Sequence, residues 1–337
     1  MKILYLGSSS GTSRQRSLAM TRLGHSVQSV DPHAAVPRRM AAWGFKTGHL
    51  GLATSIRRYV NDAIVDDSFD LIWVDHGDLC SRKLIRDLRR YRTPIVNYCQ
   101  DNPYVSRDGH RWRLFRSAIP EYDLVVTPRE SSVVLAKDAG ARKVARVMFA
   151  ADEVVHRART ISEVDENTFK SRVSFIGTWM PERGAFLESL IDMGVPLTIF
   201  GPRWERAPEY RRLTSHIRLG ELSPDDDYVK AIQCSSIAIG LLSKGNEDLH
   251  TTRSLEIPSI GTVLCAQRTS EHLIMYEEDR EALFFDDAKE CARKCMDLLS
   301  DPSRLAQTAR AGHLRALRNG YFNENLFLNV VTQLGTA

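Results

Sequence analysis

KILYLGSSSGTSRQRSLAMTRLGHSV, residues 2–27, and RVSFIGTWMPERGAFLESLIDMGVPL, residues 172–197, are the two stretches whose reading decides the fold. Each starts with a short apolar run, reaches a glycine (Gly7 or Gly177), crosses a polar turn and continues with apolar residues at helical spacing. Each then closes on a second glycine, Gly24 or Gly194, and the glycine-to-glycine interval is 17 residues in both. A glycine at a strand end permits a tight turn, and a glycine after a helix fits the left-handed cap. The repeated unit, followed each time by alternating apolar runs and helical patterns, predicts an α/β chain with parallel sheets. The expected architecture is two Rossmann-like doubly wound domains facing a cleft. Ligands in such sheets bind beyond the carboxyl ends of the strands, so functional residues are expected there.

Working outward, strands are expected near Lys2–Leu6, Ser26–Val30, Leu71–Val74, Ile95–Tyr98, Leu124–Val126 and Val144–Met148. In the second half they fall near Val173–Ile176, Leu197–Phe200, Ile217–Leu219, Ile237–Leu241, Val263–Cys265 and Leu283–Phe285. The polar stretch Arg157–Lys170 lacks periodicity and marks the boundary between domains 1–165 and 166–337. Three helices are expected at the end, over Asp287–Leu299, Pro302–Arg318 and Glu324–Leu334, the last packing back on the first domain.

The composition of the 337 residues, 43% hydrophobic, is that of a globular chain, and no run approaches the roughly 20 apolar residues of a membrane span. MKILYLGSSSG is too short for a secretory apolar segment. The six cysteines show no CxxC and no metal-ligand spacing; Cys291 and Cys295 are one helical turn apart, which reads as packing. Reduced thiols in a cytoplasmic protein are expected. The net charge of +4 divides unevenly: residues 1–165 hold 26 Lys/Arg against 18 Asp/Glu, and residues 166–337 hold 20 against 24. The basic half suggests an anionic partner: a phosphate-bearing or lipid-linked acceptor, an acidic membrane surface, or nucleic acid.

The densest chemistry is EDLHTTRSLEIPSIGTVLC, residues 247–265. His250, Thr251 and Thr252 stand where a short helix should begin, and its first N–H groups carry positive partial charge. A phosphate fits there, with Arg253 supplying a full charge. Glu256, on the same helical face, suits the paired hydroxyls of a ribose. A capped helix with an Arg253–Glu256 ion pair and no ligand is the plainer alternative.

The string TTRSLEIPSIGTVLCAQRTSEHLIMYEEDREALFFDDAKECARKCMDLLSDPSRLAQTARAG resembles the C-terminal module of CgeB-like glycosyltransferases, which are similar to the GT-B class. The matching elements are the R-x-x-E-I-P-x-x-G run, the Glu-rich segment before Leu283–Phe285 and the helix near Gly312. FIGTWMPERGAFLESL resembles the first unit of a donor domain, GELSPDDDYVKAIQCSSIAIGLL a later one, and NYCQDNP an aspartate–proline loop of the first domain. The resemblance implies a nucleoside-diphosphate sugar held by the second domain, an acceptor held by the first, and no metal or other cofactor.

It also implies roles. Glu256 matches the ribose-binding position. Asp248, in acid-x7-acid spacing with Glu256, resembles the acid that touches the donor sugar in one retaining group, although that group has Glu there. Arg183 and Arg253 form the pair that neutralises the diphosphate leaving group. Gly177 turns the chain at the donor, Trp204 stacks on the base or caps the core, and the backbone of Leu222 meets the base edge. Asp225, Asp226 and Asp227 follow Ser223-Pro224 at a helix start, where acids cap rather than bind metal. In the first domain Asp75, His76 and Asp101 follow strand ends. Asp101 or His76 is the candidate base, with Asp101 preferred. Ser10 and Gly11 line the acceptor side with Asp75 or cradle an anion. RRMAAWGFKTGHL, residues 38–50, mixes basic and aromatic residues suited to an anionic bilayer or a charged acceptor.

Other functions fit less well. An NAD-dependent oxidoreductase would use Asp31 as its ribose acid, yet GSSSGT lacks the second glycine of G-x-G-x-x-G. A nucleotide-sugar epimerase or hydrolase would use the same donor site. A nucleic-acid binder explains the basic half and leaves the diphosphate residues without a task; a nucleic-acid-modifying glycosyltransferase uses both.

Overall fold

The computed structural model describes residues 1–335, which divide into two compact units, the side chain of Arg38 excepted. The first comprises Met1–Asp152, Gly245–Glu247 and the C-terminal segment from Phe322; the second comprises Glu153–Lys244 and Asp248–Tyr321.

In the first unit six strands form one parallel sheet: β1 (Lys2–Leu6), β2 (Ser26–Val30), β3 (Leu71–Asp75), β4 (Ile95–Tyr98), β5 (Leu124–Thr127) and β6 (Val144–Arg146). Their order is β2-β1-β3-β4-β5-β6. β3, β4 and β5 are buried along their whole length, which is why each reads as an unbroken apolar run rather than an alternating one. The order reverses between β1 and β3, so the loops after these two strands flank the switch point where such sheets bind ligands. Gly7 follows β1 and His76 follows β3.

The second unit has its own parallel sheet: β7 (Ser171–Ile176), β8 (Leu197–Phe200), β9 (Ile217–Leu219), β10 (Ser235–Gly240), β11 (Val263–Gln267) and β12 (Leu283–Phe285). The order is β12-β11-β10-β7-β8-β9. Counted from β7 this is 3-2-1-4-5-6, the dinucleotide-binding order, with its switch point between β7 and β10. All twelve strands lie where the apolar runs place them.

The paired glycines act in two ways. Gly24 (φ 83°) and Gly194 (φ 81°) are left-handed and end the helices Gly11–Arg22 and Pro181–Asp192. Gly7 instead permits close approach, since a Cβ there would lie 2.5 Å from Ser13 Oγ. At the second tip the closest approach is made by Gly201, whose Cβ would lie 2.3 Å from the Gly177 carbonyl oxygen, while a Cβ on Gly177 itself would meet the Phe175 ring at 3.1 Å.

The division falls at Asp152, earlier than the polar stretch around residue 165 suggests. The intervening residues bind the second unit: the Arg159 backbone exchanges two hydrogen bonds with the Gln233 amide, and Asp165 pairs with Lys230 at 3.0 Å. Helices Ala288–Leu299 and Pro302–Asn319 complete that unit. Gly312 lies inside the second of these, where a Cβ would come within 2.3 Å of the Glu281 carbonyl oxygen.

The last helix, Asn323–Gly335, packs within the first unit, where Leu326, Phe327 and Val330 join Ile3, Tyr5, Trp73 and Val96 in one core. Phe327 is 1% exposed, with its ring 5.2 Å from His25 and 5.9 Å from Trp73. Phe327→Ala is expected to lower stability by about 3–5 kcal/mol in urea unfolding of the full chain; a loss below about 1 kcal/mol would contradict this packing.

Candidate active site

The carboxyl end of β7 gathers two guanidinium groups and an indole. Three successive carbonyls there each accept from a different side chain. Arg253 Nε donates to Ile176 at 2.8 Å, Trp204 Nε1 to Gly177 at 3.1 Å, and an Arg183 terminal nitrogen to Thr178 at 2.7 Å. The two guanidinium groups thus meet one strand tip, at the β7/β10 switch point; Arg253 Cβ is also 3.9 Å from an ideal Cβ on Gly240, the last residue of β10. Each guanidinium is a fork of five N–H donors, and Arg253, half-buried, spends its Nε–H on the strand. Its terminal nitrogens keep the geometry that suits a phosphate.

Arg183 lies in the first turn of helix Pro181–Asp192, its guanidinium 5.5 Å from the Phe175 ring. A cation disfavours a helix N-terminus by about a few tenths of a kcal/mol, and the bond to the Thr178 carbonyl offsets this.

Trp204 belongs to the core. It is 2% exposed and meets Phe175 edge-on at 5.8 Å, so its ring supports the Gly177 turn and does not stack on a base.

Helix Arg253–Ile260 follows His250-Thr251-Thr252 as the sequence predicts, with Thr252 as N-cap in helical conformation and no side-chain cap. Its internal Pro258 has no N–H to return to Ser254, and the Tyr276 hydroxyl takes that carbonyl at 2.8 Å. Gly261 (φ 103°) ends the helix.

The Arg253–Glu256 ion pair of the plainer reading is replaced by separate bonds. While Arg253 holds Ile176, Glu256 is buried and accepts from the Tyr228 hydroxyl, with His156 Nε2 3.6 Å from its other oxygen. Burial, then the Glu256 charge, push the Tyr228 phenol well above its ordinary pKa, so it stays a donor. Tyr228 also lies 5.8 Å beneath the Arg253 guanidinium and meets His156 edge-on. Tyr228 and His156 are site residues that sequence reasoning missed. The only trace of the first was its place in the DDDYVKAIQ helix; the second stands just before the polar stretch Arg157–Lys170 and was not singled out.

His250 is buried, with its Nδ1 against Glu271. The Thr251 N–H donates to Ser254 Oγ at 3.1 Å, which tightens the loop before the helix. Asp248 is buried in the same loop and its N–H reaches the Ser243 carbonyl. Leu222 stands half-exposed ahead of helix Asp227–Gln233. Of the aspartates beside it, Asp227 exchanges bonds with Ser223, and Asp226 pairs with Lys230 at 2.8 Å.

In the first unit the β1/β3 switch point holds a second charged group. Asp75 is buried, accepting from Arg16 at 2.8 Å and from the Tyr5 hydroxyl at 2.6 Å. Burial raises its pKa, but Arg16, His76 and the bonds to Arg16 and Tyr5 outweigh that and leave it below the usual carboxylate range. His76 adopts a left-handed φ of 59°, uncommon for a non-glycine residue and frequent at functional sites. Its Nδ1 is 3.7 Å from Asp75 Oδ1 and its Nε2 is 4.0 Å from Asp101 Oδ2. The candidate residues Asp75, His76 and Asp101 therefore do converge. Asp101 also accepts from an Arg111 terminal nitrogen at 3.1 Å.

Ser10 caps helix Gly11–Arg22 through its backbone, its Oγ 3.2 Å from Ser8 Oγ, and Gly11 has φ 58°. Asp31 is used structurally, accepting from the N–H groups of Ser9 and His33.

The sequence profile of a family described as glycosyl transferase-like matches residues 183–326, a range that contains the residues assembled on helix Arg253–Ile260. No curated protein matches the chain. Among solved structures, sucrose-phosphate synthase from Thermosynechococcus elongatus superposes with a TM-score of 0.70 at 13% identity, covering 100% of this chain and 99% of that one. Anabaena HepE in complex with UDP-glucose gives 0.64 at 12%, covering 100% of both. The E. coli trehalose-6-phosphate structure bound with UDP-2-fluoro glucose gives 0.64 at 11%, covering 99% of both. The fold is that of GT-B glycosyltransferase structures, and the glycosyl transferase-like family match lies mostly within the second unit.

One buried group beside the site sets a pH dependence. His272 is fully buried; its Nδ1 must donate to the Gln267 carbonyl, so its Nε2 accepts from the Ser254 hydroxyl at 2.7 Å. Burial lowers its pKa to about 4. Unfolded, the imidazole titrates near 6.5, so between about pH 6.5 and 4 only the unfolded chain takes the proton, and stability falls as pH falls. The slope from this group approaches about 1.4 kcal/mol per pH unit. Urea unfolding at pH 7 and pH 4.5 should show His272→Asn losing distinctly less stability over that interval than the unsubstituted chain. Equal losses would mean that His272 is not held neutral.

Proposed function

We propose that the second unit binds a nucleoside-diphosphate sugar, uridine diphosphate being the first nucleotide to test, and that the enzyme transfers the sugar to an acceptor recognised by the first unit. The observation that carries this reading is the pair of guanidinium groups hydrogen-bonded to Ile176 and Thr178 at the β7 tip. They oppose the charge that develops on a departing diphosphate and do so without a metal. Glu256, oriented by Tyr228, takes the ribose hydroxyls, and the first turn of helix Arg253–Ile260 faces the phosphates. Asp248 approaches the sugar. The run Arg253-x-x-Glu256-Ile257-Pro258-x-x-Gly261 supports a CgeB-like placement within the class. HepE with UDP-glucose and the trehalose-6-phosphate structure with UDP-2-fluoro glucose support uridine as the base.

On the acceptor side, His76 and Asp101 form the proton-accepting group, with Asp75 setting His76 and the Ser10–Gly11 turn beside it. The surplus of basic residues over 1–165 favours an anionic acceptor. The segment Arg38–Leu50 adds exposed Trp43, Phe45 and Leu50, a surface suited to a lipid-linked acceptor at a membrane face. No helix among the described residues is long and apolar enough to cross a membrane.

Glu256→Gln should weaken UDP binding about tenfold or more by calorimetric titration, the size of a lost charge-assisted hydrogen bond. Asp101→Asn and His76→Gln should leave that affinity intact and lower turnover, read as diphosphate release from a nucleotide-sugar library. Unchanged affinity in Glu256→Gln would contradict the donor assignment; turnover intact in both first-unit variants would contradict the acceptor assignment.

A further inference from the structure

Three thiols that the sequence keeps apart meet inside the second unit. Cys265 is at the centre of β11, between Ile239 and Leu283 on the neighbouring strands. Cys291 and Cys295 lie one turn apart on helix Ala288–Leu299. The Cys265 sulfur is 3.7 Å from each of the others, and all three lie within 4.8 Å of one another. Each residue is 0% exposed. The one-turn spacing of Cys291 and Cys295 reads as packing only while Cys265 is out of view; the sheet supplies the third sulfur.

The surroundings restrict what three such sulfurs hold. They sit in an apolar core with Val263, Phe285 and Leu298, and among the described residues no fourth His, Cys, Asp or Glu joins them. A structural zinc site is closed by four ligands, and the fourth position here would face hydrocarbon. A monovalent copper ion on three thiolates would leave net negative charge in a medium that penalises buried charge heavily. A trivalent centre with three thiolates is neutral, and its pyramidal geometry asks for no fourth ligand. Soft sulfur donors select such thiophilic centres.

We propose that Cys265, Cys291 and Cys295 form a binding site for a trivalent thiophile of the arsenous acid class. Capture is a substitution: three S–H and three As–O bonds break, three As–S bonds form, and three water molecules leave. Arsenic stays trivalent and no sulfur is oxidised. Because the thiols are enclosed, capture follows local opening of helix Ala288–Leu299, so it proceeds at the opening rate and quickens in urea below the unfolding transition. The product ties β11 to that helix and stabilises the folded chain by mass action.

The test incubates the full chain with sodium arsenite, removes the excess by gel filtration and measures arsenic per chain together with intact mass. The expected result is one arsenic per chain, a mass gain of one arsenic less three hydrogens, and a raised melting temperature. The triple substitution Cys80→Ser, Cys99→Ser and Cys234→Ser should retain all of this, whereas Cys265→Ser and, separately, Cys291→Ala should retain at least tenfold less arsenic. Circular dichroism of both single variants verifies that they fold. The proposal is overturned if the unsubstituted chain keeps no arsenic even after incubation in sub-denaturing urea, or if a folded Cys265→Ser chain keeps as much as its parent.

Discussion

The second unit depends on how the tip of β7 is satisfied. A strand that ends at a tight glycine turn leaves carbonyl groups pointing beyond the sheet, and three of them in a row, on Ile176, Gly177 and Thr178, need donors. Two of those donors are guanidinium groups and the third is a buried indole. The arrangement brings two cations to one strand tip, each bonded there to a backbone carbonyl. An anion of high charge density is the natural complement, and the switch point of a 3-2-1-4-5-6 sheet is where it would be met.

Around this point the side chains divide the labour by chemistry. Tyr228 links Arg253 and Glu256, since its ring lies under the one and its hydroxyl bonds the other. His272, Ser254 and Thr251 tie the start of helix Arg253–Ile260 to the segment that follows β11, and Tyr276 repairs the carbonyl that Pro258 leaves open. The first unit is built differently at its own switch point. There the buried Arg16–Asp75 pair is closed on itself, and His76, strained in backbone and 24% exposed at its side chain, remains beside it as the chemically versatile group. Arg111 holds Asp101 in an ion pair on the other side of His76.

The fold was largely legible in the amino-acid sequence, for a physical reason. Strands buried on both faces must be apolar throughout, so β3, β4 and β5 announced themselves as runs, and Gly24 and Gly194 marked helix ends that only a left-handed residue fills well. Local spacing also placed Arg253 and Glu256 on one short helix that begins just after His250–Thr252. Partners brought together by the sheet were not legible. The Arg253–Glu256 spacing fits an ion pair, yet Ile176 and Tyr228 lie far away in sequence and take the two side chains. Trp204 was ambiguous until Phe175 was seen against it. The domain boundary misled because Arg157–Lys170 is polar like a linker, while the Arg159 backbone and Asp165 are bound to Gln233 and Lys230. Cys265 had no sequence signal at all linking it to Cys291 and Cys295.

The central claim is that the β7 tip receives a diphosphate. A crystal structure of the chain with UDP tests it most directly. The account requires pyrophosphate oxygens within hydrogen-bond distance of both the Arg183 and Arg253 guanidinium groups, and ribose hydroxyls on Glu256. A nucleotide bound elsewhere, or one at this tip whose phosphates touch neither arginine, would contradict it.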